Sequence, residues 1–304
     1  MIVVTGESLV DVVVDTDGDS SESPGGSPLN VAVGLARLDV PATLLSQVGT
    51  DERGGLVVQH VTSSDAEIVA VPTDSGRTSV ATAHLDDAGL ASYDFDIEWN
   101  LPRQELPACH ALHVGSLGTL LQPGRESVLD LVEQACTRGV FVSYDANLRE
   151  AFVDDRERTW RDVRSLGARC DLVKLSDEDA ALLDPGSDPD DIARTLLQGE
   201  RTRLVLLTRG ASGATAFADG GQVGARPRPV EVVDTVGAGD AFMAGTLAQL
   251  SDLDTFRRPG PGLSTDLEDL ERLIRGAMEV AAVTCERRGA NPPRRQDLPA
   301  GWPA

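Results

Sequence analysis

The chain has 304 residues, with 27 lysines plus arginines against 49 aspartates plus glutamates, for a formal net charge of −22. That length can bury one large α/β domain with or without a small appendage, and that charge repels nucleic-acid backbones and anionic membrane surfaces, so neither is expected as a partner. No run approaches the ~18 apolar residues of a membrane span, and four scattered cysteines, Cys109, Cys136, Cys170 and Cys285, with no CxxC pair or secretory leader, point to a reduced cytoplasmic setting.

Ile2 to Thr5 predicts a first strand, and Gly6-Glu-Ser-Leu-Val-Asp11 after it places Asp11 at that strand's end, the edge where open α/β sheets bind ligands. A carboxylate there can accept two hydroxyl bonds, or serve as a plain turn acid. Gly25-Gly26 allows a close, side-chain-free approach, and Asn30, in the apolar run Leu29 to Leu38, offers both a donor and an acceptor. Taken singly, these read equally as loop glycines and a capping residue. Ala42 to Val48 and Leu56 to Val61 continue the alternation. Glu67 to Val71, Thr78 to Leu85 and Ala91 to Ile97 then form three strand-like runs with no helix among them, joined by the turns Pro72 to Gly76 and Asp86 to Gly89. They predict a small antiparallel sheet inserted into the main domain, with a meander on the sheet edge as the alternative. Ala111 to Val114, Ser127 to Arg138, Val140 to Tyr144, Leu172 to Leu175 and Leu204 to Thr208 restore the rhythm and predict a parallel, mostly doubly covered sheet. The Pro/Gly cluster from Arg257 to Gly262 reads as a loop between two helices.

Val230 to Val233 predicts a strand, Asp234 to Gly239 a glycine-rich turn, and Ala241 to Leu250 a helix. Free N–H groups and the helix dipole favour an anion at such a start, and Gly237 and Gly239 let the backbone approach it. Asp240 falls in the helix's first turn, as a reactive acid or as a capping one. A Walker A loop needs Gly-Lys-Ser/Thr, and the chain's single lysine, Lys174, follows Val173. A dinucleotide fingerprint starting at Gly237 would need glycine where Phe242 stands.

Asp234-Thr-Val-Gly-Ala-Gly-Asp-Ala-Phe-Met-Ala-Gly245 resembles the C-terminal signature of the PfkB, or ribokinase-like, carbohydrate kinases, and Gly25-Gly-Ser-Pro-Leu-Asn-Val-Ala-Val-Gly-Leu-Ala-Arg-Leu38 resembles the N-terminal one. The resemblance spans nearly the whole chain. It implies a single kinase domain over 1–304, a three-layer α/β/α sandwich with a mostly parallel sheet, and a small β lid formed mainly by residues 12–24 and 67–98. It also implies transfer of the γ-phosphate of ATP, with Mg²⁺, to a primary hydroxyl of a small sugar. Gly237, Ala238 and Gly239 would form the anion hole and Asp240 the base. Asp11, Gly25, Gly26 and Asn30 would bind the sugar. Asn147 and Arg149 join them through Tyr144-Asp-Ala-Asn-Leu-Arg149, which resembles a segment of the fructokinase and keto-deoxy-sugar kinase branches.

Thr208, Gly210 and Gly213 match a turn lying along the ATP phosphates and ribose. Lys174, Ser176 and Asp179 match a segment that organises phosphates and Mg²⁺ through water, although many members carry Asn and Glu where this chain has Ser176 and Asp179. Ser176 has an equal structural reading as a helix cap. Carbonyls of Asp234, Val236, Thr284, Arg287 and Gly289 would surround a potassium ion in a cation-activated member. Thr78-Ser-Val-Ala, Tyr93 to Trp99 and Val173 to Asp179 look most like the fructokinase branch, with ribose and 2-keto-3-deoxygluconate kinases as rivals and an inactive sugar- or nucleotide-binding sensor as the reading from another class. Lid sheets pair between subunits in some relatives, which implies a homodimer.

Overall fold

The fold is given by a computed structural model that describes residues 1–14, 16, 18–85, 91–257 and 263–303. The expected turn from Asp86 to Gly89 and the Pro/Gly cluster at 258–262 lie outside the described residues. The chain opens with β1 (Ile2–Thr5), β2 (Leu9–Val14), β3 (Ser20–Gly25), α1 (Ser27–Arg37), β4 (Ala42–Val48), α2 (Glu52–Ser63) and β5 (Glu67–Pro72). β6 (Val80–Leu85), β7 (Ala91–Asp96), β8 (Ala111–Gly115), α3 (Gly124–Thr137), β9 (Phe141–Asp145), α4 (Arg156–Gly167), β10 (Leu172–Ser176) and α5 (Asp177–Leu183) follow. The last third holds α6 (Pro189–Leu197), β11 (Leu204–Thr208), β12 (Ala214–Ala218), β13 (Gly221–Ala225), α7 (Ala238–Asp252) and α8 (Leu267–Cys285).

Among the described residues, nine strands form the large sheet in the order β13-β12-β11-β10-β9-β8-β1-β4-β5. It is parallel from β5 to β11, with β12 and β13 added antiparallel at one edge. Successive strand side chains point to opposite faces, and the apolar residues obey that period. Ile2, Val4, Leu44, Leu172 and Leu204 pack with Leu35 of α1, Met243 of α7 and Ile274 of α8. Val3, Leu45, Val173 and Val205 pack on the opposite side with Leu131 of α3, Leu166 of α4 and Ile192 of α6. The result is a three-layer α/β/α sandwich.

Strand order reverses at β1. From there the chain builds β4 and β5 on one side, then returns to build β8 to β11 on the other. Such a switch opens a crevice outside the carboxyl ends of the strands. The residues after β1 and β8, namely Gly6, Glu7 and Ser116, stand at that crevice.

The second sheet has the order β3-β2-β6-β7. This corrects the sequence reading in two respects. Glu67–Pro72 pairs in parallel with β4 at the edge of the large sheet, because β4, α2 and β5 form a strand–helix–strand unit whose helix carries the chain back to a parallel position. The small sheet is built on β2, which pairs parallel with β6 and antiparallel with β3, and these two strands overlap the 12–24 stretch that the resemblance assigns to the lid. Asp11 consequently lies within β2 and not at the end of the first strand. Val230 to Val233, expected as a strand, has no regular structure; Val233 and Asp234 donate their N–H groups to the carbonyl of Cys285 at 2.8 and 3.2 Å.

Candidate active site

The start of α7 is shaped by Gly237, whose left-handed backbone (φ 76°) forms the N-cap. A side chain there would be strained and would bring its Cβ within 2.7 Å of the Cβ of Ala290. Asp240 is the third residue of the helix and only 8% exposed. The first N–H groups of a helix lack intrahelical partners. That of Ala238 is already bonded to the carbonyl of Thr235 at 3.2 Å, so the N–H groups of Gly239 and Asp240 are the members of this turn best suited to receive an anion.

Two residues of α1 hold the Asp240 carboxylate. Ser27 Oγ donates to Oδ1 at 2.6 Å and Asn30 Nδ2 donates to Oδ2 at 2.8 Å. Asn30 and Ser27 are one helical turn apart and therefore on one face of α1. The other polar atom of Asn30, Oδ1, is buried without a hydrogen-bond partner. Buried acceptors are nearly always satisfied, so this one is placed for a ligand donor.

Asp11 reaches the same region from the small sheet. A Cβ on Gly25 would lie 2.0 Å from its Oδ2, and one on Gly26 (φ 104°) would lie 2.7 Å from the carbonyl of Glu7, so the glycine pair is what lets these segments meet. Burial pushes the Asp11 carboxyl up to about 6; the Arg149 guanidinium opposes that rise and the Asp240 charge adds to it. Arg149 is exposed and donates to Asn147 Oδ1 at 2.7 Å and to the Leu148 carbonyl at 3.0 Å. Asn147 itself has a positive φ of 36°. Glu7, buried at the end of β1, accepts the N–H of Gly118 at 2.7 Å, and burial pushes its carboxyl up to about 7.

Beneath the turn lies a buried ion pair, Lys174 Nζ to Asp145 Oδ2 at 2.9 Å, with both side chains almost wholly excluded from solvent. A Cβ on Gly239 would lie 3.3 Å from Lys174 Nζ, which puts the chain's single lysine against the first turn of α7. Burial opposes its charge, but Asp145 first, then Asp179 and Asp240, hold the ammonium above the ordinary lysine range. Asp179 and Ser176 form a reciprocal capping box at the start of α5, and Asp179 also accepts the N–H of Leu148 at 2.7 Å.

Both Asp179 oxygens thus accept backbone N–H groups. Among the described residues no group of three or more His, Cys, Asp or Glu is arranged to hold a metal. This donor set fits a Mg²⁺ that arrives on a nucleotide with its own waters, and not one caged by the protein.

Thr208 pairs in register with Ser176, so the ends of β10 and β11 lie side by side. Gly210 and Gly213 have positive φ, and a Cβ on Gly213 would lie 2.1 Å from the Ala225 carbonyl. A cavity of about 460 Å³, lined by Arg209, Ser212, Ala225, Arg226 and Arg275, adjoins this turn. At the remaining expected location, Asp234 accepts the N–H groups of Val236 at 3.0 Å and Gly289 at 2.8 Å, while the Thr284 carbonyl accepts the N–H of Arg287 at 3.0 Å. The segments 234–236 and 284–289 therefore meet.

Residues 1–297 match the pfkB family carbohydrate kinases. The chain belongs to that family. This carbohydrate kinase is 32% identical over 305 residues to a fructokinase of Escherichia coli, with 97% of each chain covered. Its fold is similar to that of a Vibrio cholerae fructokinase bound to fructose, ADP and potassium, with a TM-score of 0.80, 27% identity, and 95% of this chain and 93% of that one covered. A sugar kinase of Pyrococcus horikoshii in complex with ATP has a TM-score of 0.79 and 25% identity, with 98% of this chain and 97% of that one covered.

Three functional candidates of the kinase were not singled out in its sequence. Ser27 lies inside the first glycine motif, where attention falls on Gly25, Gly26 and Asn30. Glu7 follows a glycine and resembles any turn acid. Asp145 was detectable in principle, because a lone lysine in a predicted buried strand requires a counter-ion.

Proposed function

We propose that this carbohydrate kinase transfers the γ-phosphate of ATP to a primary hydroxyl of fructose, with Asp240 as the general base. The observation that carries the reading is the Asp240 carboxylate itself: it lies at the N-terminus of α7, is held by Ser27 and Asn30 from α1, and stands within electrostatic reach of Asp11. In this reading the sugar lies between Asp11, Gly25, Gly26, the unpartnered Asn30 Oδ1 and Arg149. The hydroxyl donates its proton to Asp240 as its oxygen attacks the γ-phosphorus, and ADP leaves. The N–H groups of Gly239 and Asp240, with the Lys174 ammonium behind them, stabilise charge on the transferring group. Mg²⁺, when bound with ATP, neutralises phosphate charge. Phosphoryl transfer depends mainly on positioning and charge stabilisation, so a base at a helix N-terminus suffices.

The nucleotide would run along Thr208, Gly210 and Gly213 toward the adjoining cavity, whose volume suits a ligand of that size. Segments 234–236 and 284–289 are the proposed place for a potassium ion. The small sheet would act as a lid and as the face of a homodimer. No described helix is long and apolar enough to cross a membrane, and the four free cysteines suit the cytoplasm.

Fructose as acceptor is supported by the Escherichia coli relative and by the fructose-bound Vibrio cholerae structure. Arg149 gives a second reading, since an exposed guanidinium beside Asp11 can meet the carboxylate of a sugar acid such as 2-keto-3-deoxygluconate. Coupled ADP release measured with fructose, ribose and 2-keto-3-deoxygluconate should give the highest kcat/KM for fructose. A higher value for either rival overturns the fructose assignment. Sugars that raise the melting temperature without stimulating ADP release would overturn the kinase reaction in favour of a sensor.

A further inference from the structure

We infer that Ser27 is a positioning residue for Asp240, an inference that rests on the reading of Asp240 as the base. Ser27 is the first residue of α1, directly after the Gly25-Gly26 pair, and 6% exposed. A serine at a helix start ordinarily uses its hydroxyl to cap its own backbone. Here the N-cap position belongs to Gly26, which provides no side-chain cap, and the Ser27 hydroxyl crosses to α7, 213 residues away in sequence. The 2.6 Å separation from Asp240 Oδ1 falls in the range of an O–H to carboxylate bond, among the stronger hydrogen bonds in proteins.

The terminal torsion of an aspartate is broad and roughly two-fold, so one anchored oxygen leaves the other free to swing. Asn30 anchors Oδ2 and Ser27 anchors Oδ1, and the two donors come from the same face of one helix. Together they fix the plane of the carboxylate and leave one acceptor direction on each oxygen for the substrate hydroxyl. A phosphoryl acceptor must be held in line with the γ-phosphorus, and small misplacements are expensive in rate. Removing the Ser27 donor therefore acts on turnover and not on ground-state affinity, because neither substrate needs the Ser27 hydroxyl in order to bind.

The test is steady-state kinetics of the full chain with the sugar that stimulates it best, on S27A, S27C, D240N and the double variant S27A/D240N. S27A should lower kcat about tenfold with both KM values within about twofold. S27C keeps the volume and loses the strong donor, so it should match S27A; it also keeps the test valid if S27A loses stability. In the D240N background S27A should add less than a twofold further loss, because positioning a base matters only while the base is present. Full turnover in S27C, or the same fold loss in D240N as in the parent chain, overturns the inference and assigns Ser27 to packing. Normal turnover in D240N overturns the base assignment itself, which is a separate result.

Discussion

Burial gives Asp11 a chemistry that an exposed aspartate lacks. Its folded-state pKa of about 6 lies above the ordinary value of about 4. Between those values the folded chain binds more protons than the unfolded one, so this group's contribution to stability is lost as pH rises through that window. The protein accepts that loss in order to keep an ionised acceptor facing the site. D11N should therefore raise stability relative to the parent by roughly 1–2 kcal/mol more at pH 8 than at pH 5, while lowering kcat/KM for the sugar. Thermal melts at the two pH values check the first part, and an equal difference at both would remove Asp11 from the balance. Asp11 was legible in the sequence as an acid after a short strand, but its placement was not. The turn at Gly6 (φ 152°) that ends β1 and sends the chain into a second sheet leaves no distinctive residue pattern.

At the level of elements, the start of α7 depends on a backbone only glycine adopts at no cost. G237A combines a left-handed φ with a Cβ 2.7 Å from Ala290, and should cost about 1–3 kcal/mol of stability together with most of the sugar-stimulated turnover. A variant that keeps both its melting temperature and its rate would show that this turn can relax freely. The glycine-rich turn and its helix were readable because glycine and acid at fixed spacing leave few alternatives.

For the opposite reason one strand expectation failed and another held with a different partner. The β-branched residues Val230, Val232 and Val233 favour extended structure, but the segment pairs with no described strand. Arg228 ties the segment to Glu279 and Glu286 at 2.8 Å each, and Val232 and Val233 remain more than half exposed. Glu67 to Pro72 does form a strand, yet its own residues did not show that β4, rather than β6, is its partner. Pairing depends on where α2 returns the chain.

Over the whole molecule, the site exists because distant parts of the chain converge on the reversal of strand order at β1. The small sheet brings Asp11, α1 brings Ser27 and Asn30, β9 and β10 bring the buried Asp145–Lys174 pair, and α7 brings Asp240. The three-layer sandwich was legible from alternating strands and helices, and two of these contributors were legible from the paired glycine motifs. The Ser27 bond was not, since its partner lies 213 residues away and that spacing belongs to no local motif; the ion pair left only the lone buried lysine as its sign. The central claim is that the Asp240 carboxylate takes the proton of the acceptor hydroxyl. Sugar-stimulated ADP release by D240N tests it most directly: kcat should fall by ~10² or more with KM for ATP nearly unchanged, and near-normal turnover would contradict it.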